Sequence, residues 1–381
     1  MFGITLFGNE IKRIVIDSRS AEKGDLFVAY HGEKTDGNDY VQSALDRGAS
    51  AALCERFEGD GPVIITDDVQ GRLEDLIADF RDALEIPIVG ISGSVGKTTT
   101  KEMISCVLER KFRVLKTEGN LNNTIGVPMT MSRIQPEHEV AVVEMGINHF
   151  GEMTHLARMV RPTIMVYTNI GHAHLEFLGD RAGVFKAKTE VLDICSPQIV
   201  ANAEDDYLRT LDAVFYDGSN PICPPPAYGK HIVFAMNAAT AVGRLLGMSE
   251  EEIREGLADF QVVGRRGTVT SGKITVIDDC YNANLDSMIF AIDSMMELPG
   301  ERHVAVLGQI LELGDQTEQT LRTIGDYARS KGCLVFQVDA DYGAEEYSVD
   351  KIRPGDVVLV KASHGAHLES IADALKEMAN E

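Results

Sequence analysis

The sequence predicts an α/β protein of three units, each built on a largely parallel sheet, and three observations predict it. Short apolar, β-branched runs alternate with helix-period segments along the whole chain, the pattern of parallel strands joined by helices. One of those strands runs through a glycine turn directly into a helix that begins Lys-Thr. The length, 381 residues, exceeds a typical single domain, and a proline-rich break at 217–228 interrupts the alternation.

The glycine turn comprises Gly93, Ser94, Val95 and Gly96, and Lys97, Thr98 and Thr99 follow it. Ile88 to Ile91 ahead of it read as a buried strand. Behind it, Met103, Ile104, Val107 and Leu108 recur at the spacing of one helix face. Strand, glycine turn and Lys-Thr helix start is the context of a phosphate-binding loop. Glycines let the backbone approach an anion, the helix N-terminus adds partial positive charge, and Lys97 adds a full one. Thr98 offers a hydroxyl to Mg²⁺. Gly93 and Gly96 are separated by two residues, where a full Walker A motif has about four.

A hydrophobic content of 44% suits a globular protein with substantial cores. A net charge of −23 argues against a nucleic-acid partner, which demands clustered Lys and Arg. No apolar run approaches the roughly 18 residues of a membrane span, and the first residues lack signal-peptide character, so a cytoplasmic location is expected. The six cysteines are scattered without a Cys-x-x-Cys pair and read as reduced thiols.

Residues 1 to 84 form the first unit. Strands are predicted at Arg13 to Ile16, Asp25 to Tyr30, Ala51 to Cys54 and Val63 to Thr66, with helices near Val41 to Arg47 and Gln70 to Leu84. Its loop Asp17-Ser18-Arg19 reads as a turn by itself. The second unit, 85 to 261, adds strands at Val140 to Glu144, Thr163 to Thr168 and Gln198 to Ala201. In open α/β sheets ligands lie outside the carboxyl ends of the strands. Glu144 and His174 are therefore expected on the rim that carries the glycine turn. Alone, a strand-end Glu reads as a helix cap and a single His as structural; beside a phosphate loop they suggest a metal site. Helices follow at His231 to Leu246 and Ser249 to Asp259, the second with a Ser249/Glu252 capping box. The third unit, 262 to 381, has strands at Ile274 to Asp279, His303 to Gly308, Cys333 to Phe336 and Asp356 to Lys361. Helices are predicted at Ser287 to Met296, Glu318 to Lys331 and Leu368 to Met378.

Read as an ordered set, these motifs resemble the Mur ligases of peptidoglycan synthesis. The resemblance runs through Asp17-Ser-Arg19, Gly93 to Thr99, Gly119-Asn-Leu-Asn-Asn-Thr124, Val143-Glu-Met-Gly146, Asn169 to Glu176, Ala187-Lys-Thr-Glu190 and Ile277 to Asn284. The pattern is most similar to members that join D-Ala-D-Ala to a UDP-muramoyl tripeptide. The resemblance implies a small N-terminal substrate domain (1–84), a central ATPase-type parallel-sheet domain (85–261) and a C-terminal Rossmann-like domain (262–381). It implies activation of a carboxylate by ATP as an acyl phosphate, followed by amide formation with D-Ala-D-Ala or a similar amine.

By position, Thr98 and Glu144 would hold one Mg²⁺, and His174 and a CO₂-carboxylated Lys188 a second. Asp279 and Asn282 would meet the nucleotide, and Arg265 or Arg266 its phosphates. Asp17, Ser18 and Arg19 would contact the UDP-sugar, with Asn122, Asn123 and Thr124 lining the central cleft. A monomer is expected, with the third domain closing over ATP. The chain departs from the family at Phe234, Leu285, Gln309 and Leu321, and is shortened near 216–226 and 339–348. A related ligase of another pathway, a phosphotransferase and a non-catalytic nucleotide-binding relative are the competing readings.

Overall fold

The computed structural model describes residues 1, 3–32, 35–311 and 313–380. The chain opens with a hairpin of β1 (Thr5–Leu6) and β2 (Asn9–Glu10). It continues through β3 (Arg13–Val15), β4 (Asp25–Val28), α1 (Val41–Arg47), β5 (Ala51–Cys54), β6 (Val63–Ile65) and α2 (Val69–Asp82). Strands β3 to β6 pair in order, all parallel, and Val15, Phe27, Ala52 and Cys54 pack against Val41 and Ala44 of α1.

Next come β7 (Ile88–Ser92), α3 (Lys97–Leu108), β8 (Val114–Lys116), α4 (Gly126–Ser132), β9 (Val140–Glu144), α5 (Glu152–Val160) and β10 (Ile164–Tyr167). They are followed by α6 (Leu175–Leu178), α7 (Arg181–Thr189), β11 (Gln198–Asn202), β12 (Val214–Tyr216), α8 (Lys230–Leu245) and α9 (Glu250–Ala258). The sheet order is β12-β11-β10-β7-β9-β8, with β7 parallel to both β10 and β9. Strands β7 and β9 are buried along their whole length, which is why they read as unbroken apolar runs. The predicted capping box of α9 is present: Ser249 accepts from the Glu252 amide, and Glu252 accepts from the Ser249 amide. Residues 217–229 carry neither helix nor strand.

The last part holds β13 (Thr268–Ser271), β14 (Thr275–Asp279), α10 (Leu285–Met296), β15 (Arg302–Leu307), α11 (Thr317–Ser330), β16 (Leu334–Gln337), β17 (Glu345–Glu346), β18 (Asp356–Lys361) and α12 (Glu369–Asn380). The order is β13-β14-β18-β15-β16-β17, antiparallel only at the β13 edge. Along β15, Ala305 and Leu307 face α10 and α11, while Val304 and Val306 face α12. Both faces of this sheet are therefore covered.

By proximity the chain divides into two compact units. One contains Met1–Ser92, Leu108–Tyr167 and Lys186–Val200; the other contains Gly93–Val107, Thr168–Phe185 and Ala201–Glu381. Among the described residues no helix is long and apolar enough to cross a membrane.

Candidate active site

In the compact unit that contains Leu108–Tyr167, the carboxyl ends of three central strands, β7, β9 and β10, stop at one level. Ile91 is in register with Glu144, and Ser92 with Tyr167. Glu144 is 2% exposed, and its Oε1 accepts a 2.8 Å bond from Asn122 Nδ2. Its backbone amide donates to Thr117 Oγ1. A buried carboxylate held by an amide donor is fixed in direction, and carboxylate oxygens are ligands that a hard cation takes. Asn122 therefore orients Glu144. Asn123 Oδ1 accepts from the Ile125 and Gly126 amides at the start of α4, and Thr124 lends its carbonyl to Gln70.

Lys188, on α7 in the same unit, is 1% exposed, and its carbonyl accepts from the Tyr167 hydroxyl. Glu190, two residues on, bonds the Gly151 and Thr154 amides and so caps the start of α5. Asp17 and Arg19 pair within their own turn at 2.7 Å, and the guanidinium brings the Asp17 carboxyl down to about 2. Ser18, between them, is buried.

In the other compact unit, the phosphate loop is held by the segment that follows β10. Asn169 Oδ1 accepts from the Ser94 amide at 3.0 Å and from the Val95 amide at 2.9 Å. Thr168 Oγ1 donates to the Val95 carbonyl at 2.6 Å, and Ser94 Oγ accepts from the Gly171 amide at 2.9 Å. Lys97 Nζ bridges back to the Gly93 carbonyl at 2.8 Å. Because Asn169 engages the Ser94 and Val95 amides, the candidate anion cradle moves to Gly96 and the first turn of α3. Asn169 lies in a quoted motif, but spacing alone assigns it no role. His174 caps α6 with φ +59, a left-handed conformation uncommon outside glycine.

The two arginines separate clearly. Arg265 donates to Asp278, which is fully buried, and to Asp373 on α12, so it fastens β14 to α12. Arg266 lies 3.7 Å over the Tyr281 ring, and Tyr281 stacks in turn on His364. Arg266 also lines a small pocket with Thr98, Thr99 and Glu102 of α3. Asp279 pairs at 2.6 Å with Lys361, a buried lysine whose Nζ also donates to the Asn282 carbonyl. Burial raises the Asp279 carboxyl, and Lys361 opposes that rise. Phe234, where the family pattern expects a polar residue, packs against Phe290 and Tyr216. A polar contact is replaced there by an aromatic cluster.

Among the described residues no three His, Cys, Asp or Glu stand together as a metal cage. Mg²⁺ needs none, since it takes one or two carboxylates and completes its shell with phosphate and water.

The chain matches three family descriptions in order. They are the Mur ligase family catalytic domain over 10–80, the Mur ligase middle domain over 91–222 and the Mur ligase glutamate ligase domain over 260–346. It is 32% identical to the UDP-N-acetylmuramoyl-tripeptide–D-alanyl-D-alanine ligase of Synechocystis, covering 96% of this chain and 92% of that one. The enzymes of the same name from Bacillus subtilis and Escherichia coli are each 31% identical, with 96% and 93% covered. A crystal structure of MurF from Acinetobacter baumannii superposes with a TM-score of 0.86 at 29% identity, over 96% of this chain and 94% of that one. MurF from Thermotoga maritima, in complex with ADP, shares the fold with a TM-score of 0.83 at 23% identity, covering 97% and 98%. With relatives above 30% identity matched nearly end to end, this chain belongs to the Mur ligase family of ATP-dependent carbon–nitrogen ligases.

Proposed function

We propose that the protein joins D-alanyl-D-alanine to UDP-N-acetylmuramoyl-tripeptide in peptidoglycan synthesis, consuming ATP, and that it works as a cytoplasmic monomer. The observation that carries this reading is Arg266 lining one pocket with Thr98 and Thr99 beside a phosphate loop clamped by Asn169. In this reading a terminal carboxylate oxygen of the tripeptide attacks the γ-phosphorus, and the bond to the β-bridging oxygen breaks, giving an acyl phosphate and ADP. The dipeptide amine then attacks the acyl carbon, loses a proton, and phosphate departs as the amide forms. Both first partners are anions, so the site must neutralise charge before they meet.

Lys97, the start of α3 and Arg266 supply that charge from the protein, with Tyr281 holding the guanidinium plane. Carried over from the family resemblance, Thr98 and Glu144 would hold one Mg²⁺ ion, and His174 and Lys188 a second. Bound ions would neutralise phosphate and carboxylate oxygens. The family resemblance places a CO₂-carboxylated lysine at Lys188, a deeply buried position on α7, where a carbamate could ligate a cation. Asp279 and Asn282 would face the nucleotide, and Asp17, Ser18 and Arg19 the UDP-sugar. Domain boundaries are placed at 84/85 and 261/262, a division supported by the four sheets each falling inside one span.

Phosphate release tests the reading, with UDP-muramoyl tripeptide and a panel of amines. Turnover that requires D-Ala-D-Ala is expected. Turnover with a different amine would move the enzyme to another branch of the family, and turnover with none would defeat the proposal. Arg266→Lys should lower kcat by about 100-fold, and Arg265→Lys should act mainly on stability.

A further inference from the structure

Three consecutive backbone amides after β10 are each gripped by a different element. The Ile170 amide donates to Asp205 Oδ2 at 2.7 Å, and the Gly171 amide to Ser94 Oγ at 2.9 Å. The His172 amide donates to Asp286 Oδ2, and the His172 ring Nδ1 lies 2.8 Å from Asp286 Oδ1. Asp205 follows β11, Ser94 is in the phosphate loop, and Asp286 sits in the first turn of α10. Asp286 is thus the grip supplied by the C-terminal sheet's own helix. It presses closely, since a Cβ on Gly171 would lie 2.2 Å from Asp286 Oδ2.

The capping of α10 does not require this carboxylate. Asn284 accepts from the Ser287 amide and Ser287 returns a bond to Asn284, which completes the N-terminal box. An acidic side chain in a first helical turn gains something from the helix dipole wherever it points. The dipole does not explain two bonds to one residue 114 positions away. The gripped stretch runs from Asn169, which holds the Ser94 and Val95 amides, to His174, two residues beyond the grip.

We infer that Asp286 is a positioning residue for the ligase reaction. From α10 it fixes the Gly171-His172 peptide and thereby sets both the Asn169 clamp on the phosphate loop and the direction of His174. This rests on the proposed function for its kinetic consequence, but the grip itself does not depend on substrate identity.

The test compares Asp286→Ala, Asp286→Asn and His172→Ala. The asparagine keeps an acceptor for the His172 amide while removing the charge. Asp286→Ala should lower kcat by about 10- to 100-fold, the scale of a misplaced reacting group, with KM for ATP changed by less than about twofold. Asp286→Asn should return to within about threefold of the parent, and His172→Ala, which keeps the backbone bond, should lose about threefold, the scale of one hydrogen bond. Hydrogen exchange over residues 169–178 should speed up in Asp286→Ala and stay near the parent rate in Asp286→Asn, with or without ADP. Equal losses in the alanine and asparagine variants would mark a dipole effect and overturn the inference. So would parent-like exchange in Asp286→Ala. If the parent shows no turnover with D-Ala-D-Ala, the proposed function fails while the exchange comparison still decides the grip.

Discussion

Arg265 and Arg266 are adjacent and chemically identical, and their surroundings give them different work. Arg265 meets two carboxylates and becomes a fastener, while Arg266 meets an aromatic face and the helix that follows the phosphate loop. His231 is a second case. It stands edge-on to Phe290, and burial together with the Lys361 charge pulls its pKa from 6.5 to about 4. Its folded form binds fewer protons than the unfolded chain between those values, so its contribution is complete above about pH 6.5 and is lost as the pH falls towards about 4. His231→Gln should therefore flatten the acid side of the stability profile. Urea unfolding at about pH 5 and about pH 7.5 measures this, and an unchanged pH slope would refute it.

At the scale of elements, the decisive feature is how β7 hands over to α3. Gly93 has φ +149, and a Cβ there would fall 1.9 Å from Thr168 Oγ1, which is engaged with the Val95 carbonyl. Gly96 has φ +83 but open space around it. Gly93→Ala should cost about 2–3 kcal/mol and abolish ADP binding, whereas Gly96→Ala should cost about 1 kcal/mol from backbone strain alone. Urea midpoints and an ADP titration separate the two, and equal costs would show that the clash with Thr168 is relieved by a rotamer change. The same logic explains the periodicity that made the third unit legible. With α10 and α11 on one face and α12 on the other, alternate residues of β15 are buried on opposite sides and the strand reads as a continuous apolar run.

For the whole molecule, two compact units predict thermal unfolding that departs from a single two-state step. The unit containing Gly93–Val107 and Ala201–Glu381 holds the phosphate loop and Arg266. ADP at 100 times its Kd should stabilise that unit's transition by about 2.7 kcal/mol, and calorimetry with and without ADP reads the shift. A Lys97→Ala variant should lose the shift while keeping both transitions.

Much of this protein is written locally. Parallel strands, the phosphate-loop helix, the Ser249/Glu252 cap and the order of the family motifs depend on residues near each other, and period and turn chemistry expose them. The two-residue strands β1, β2 and β17 and the polar edge strand β13 leave no such trace, because neighbours across the sheet and not their own pattern make them strands. The same holds for the details of the site. Asn169 reaches Ser94 across 75 positions, Asn122 reaches Glu144 across 22, and Asp286 reaches His172 across 114. Burial is encoded by periodicity along a segment, whereas a hydrogen-bond partner is selected by packing. The positions proposed to carry the chemistry were named from motifs along the chain, and the hydrogen-bond partners that aim Glu144, the glycine turn and the Gly171-His172 peptide were decided by the tertiary structure.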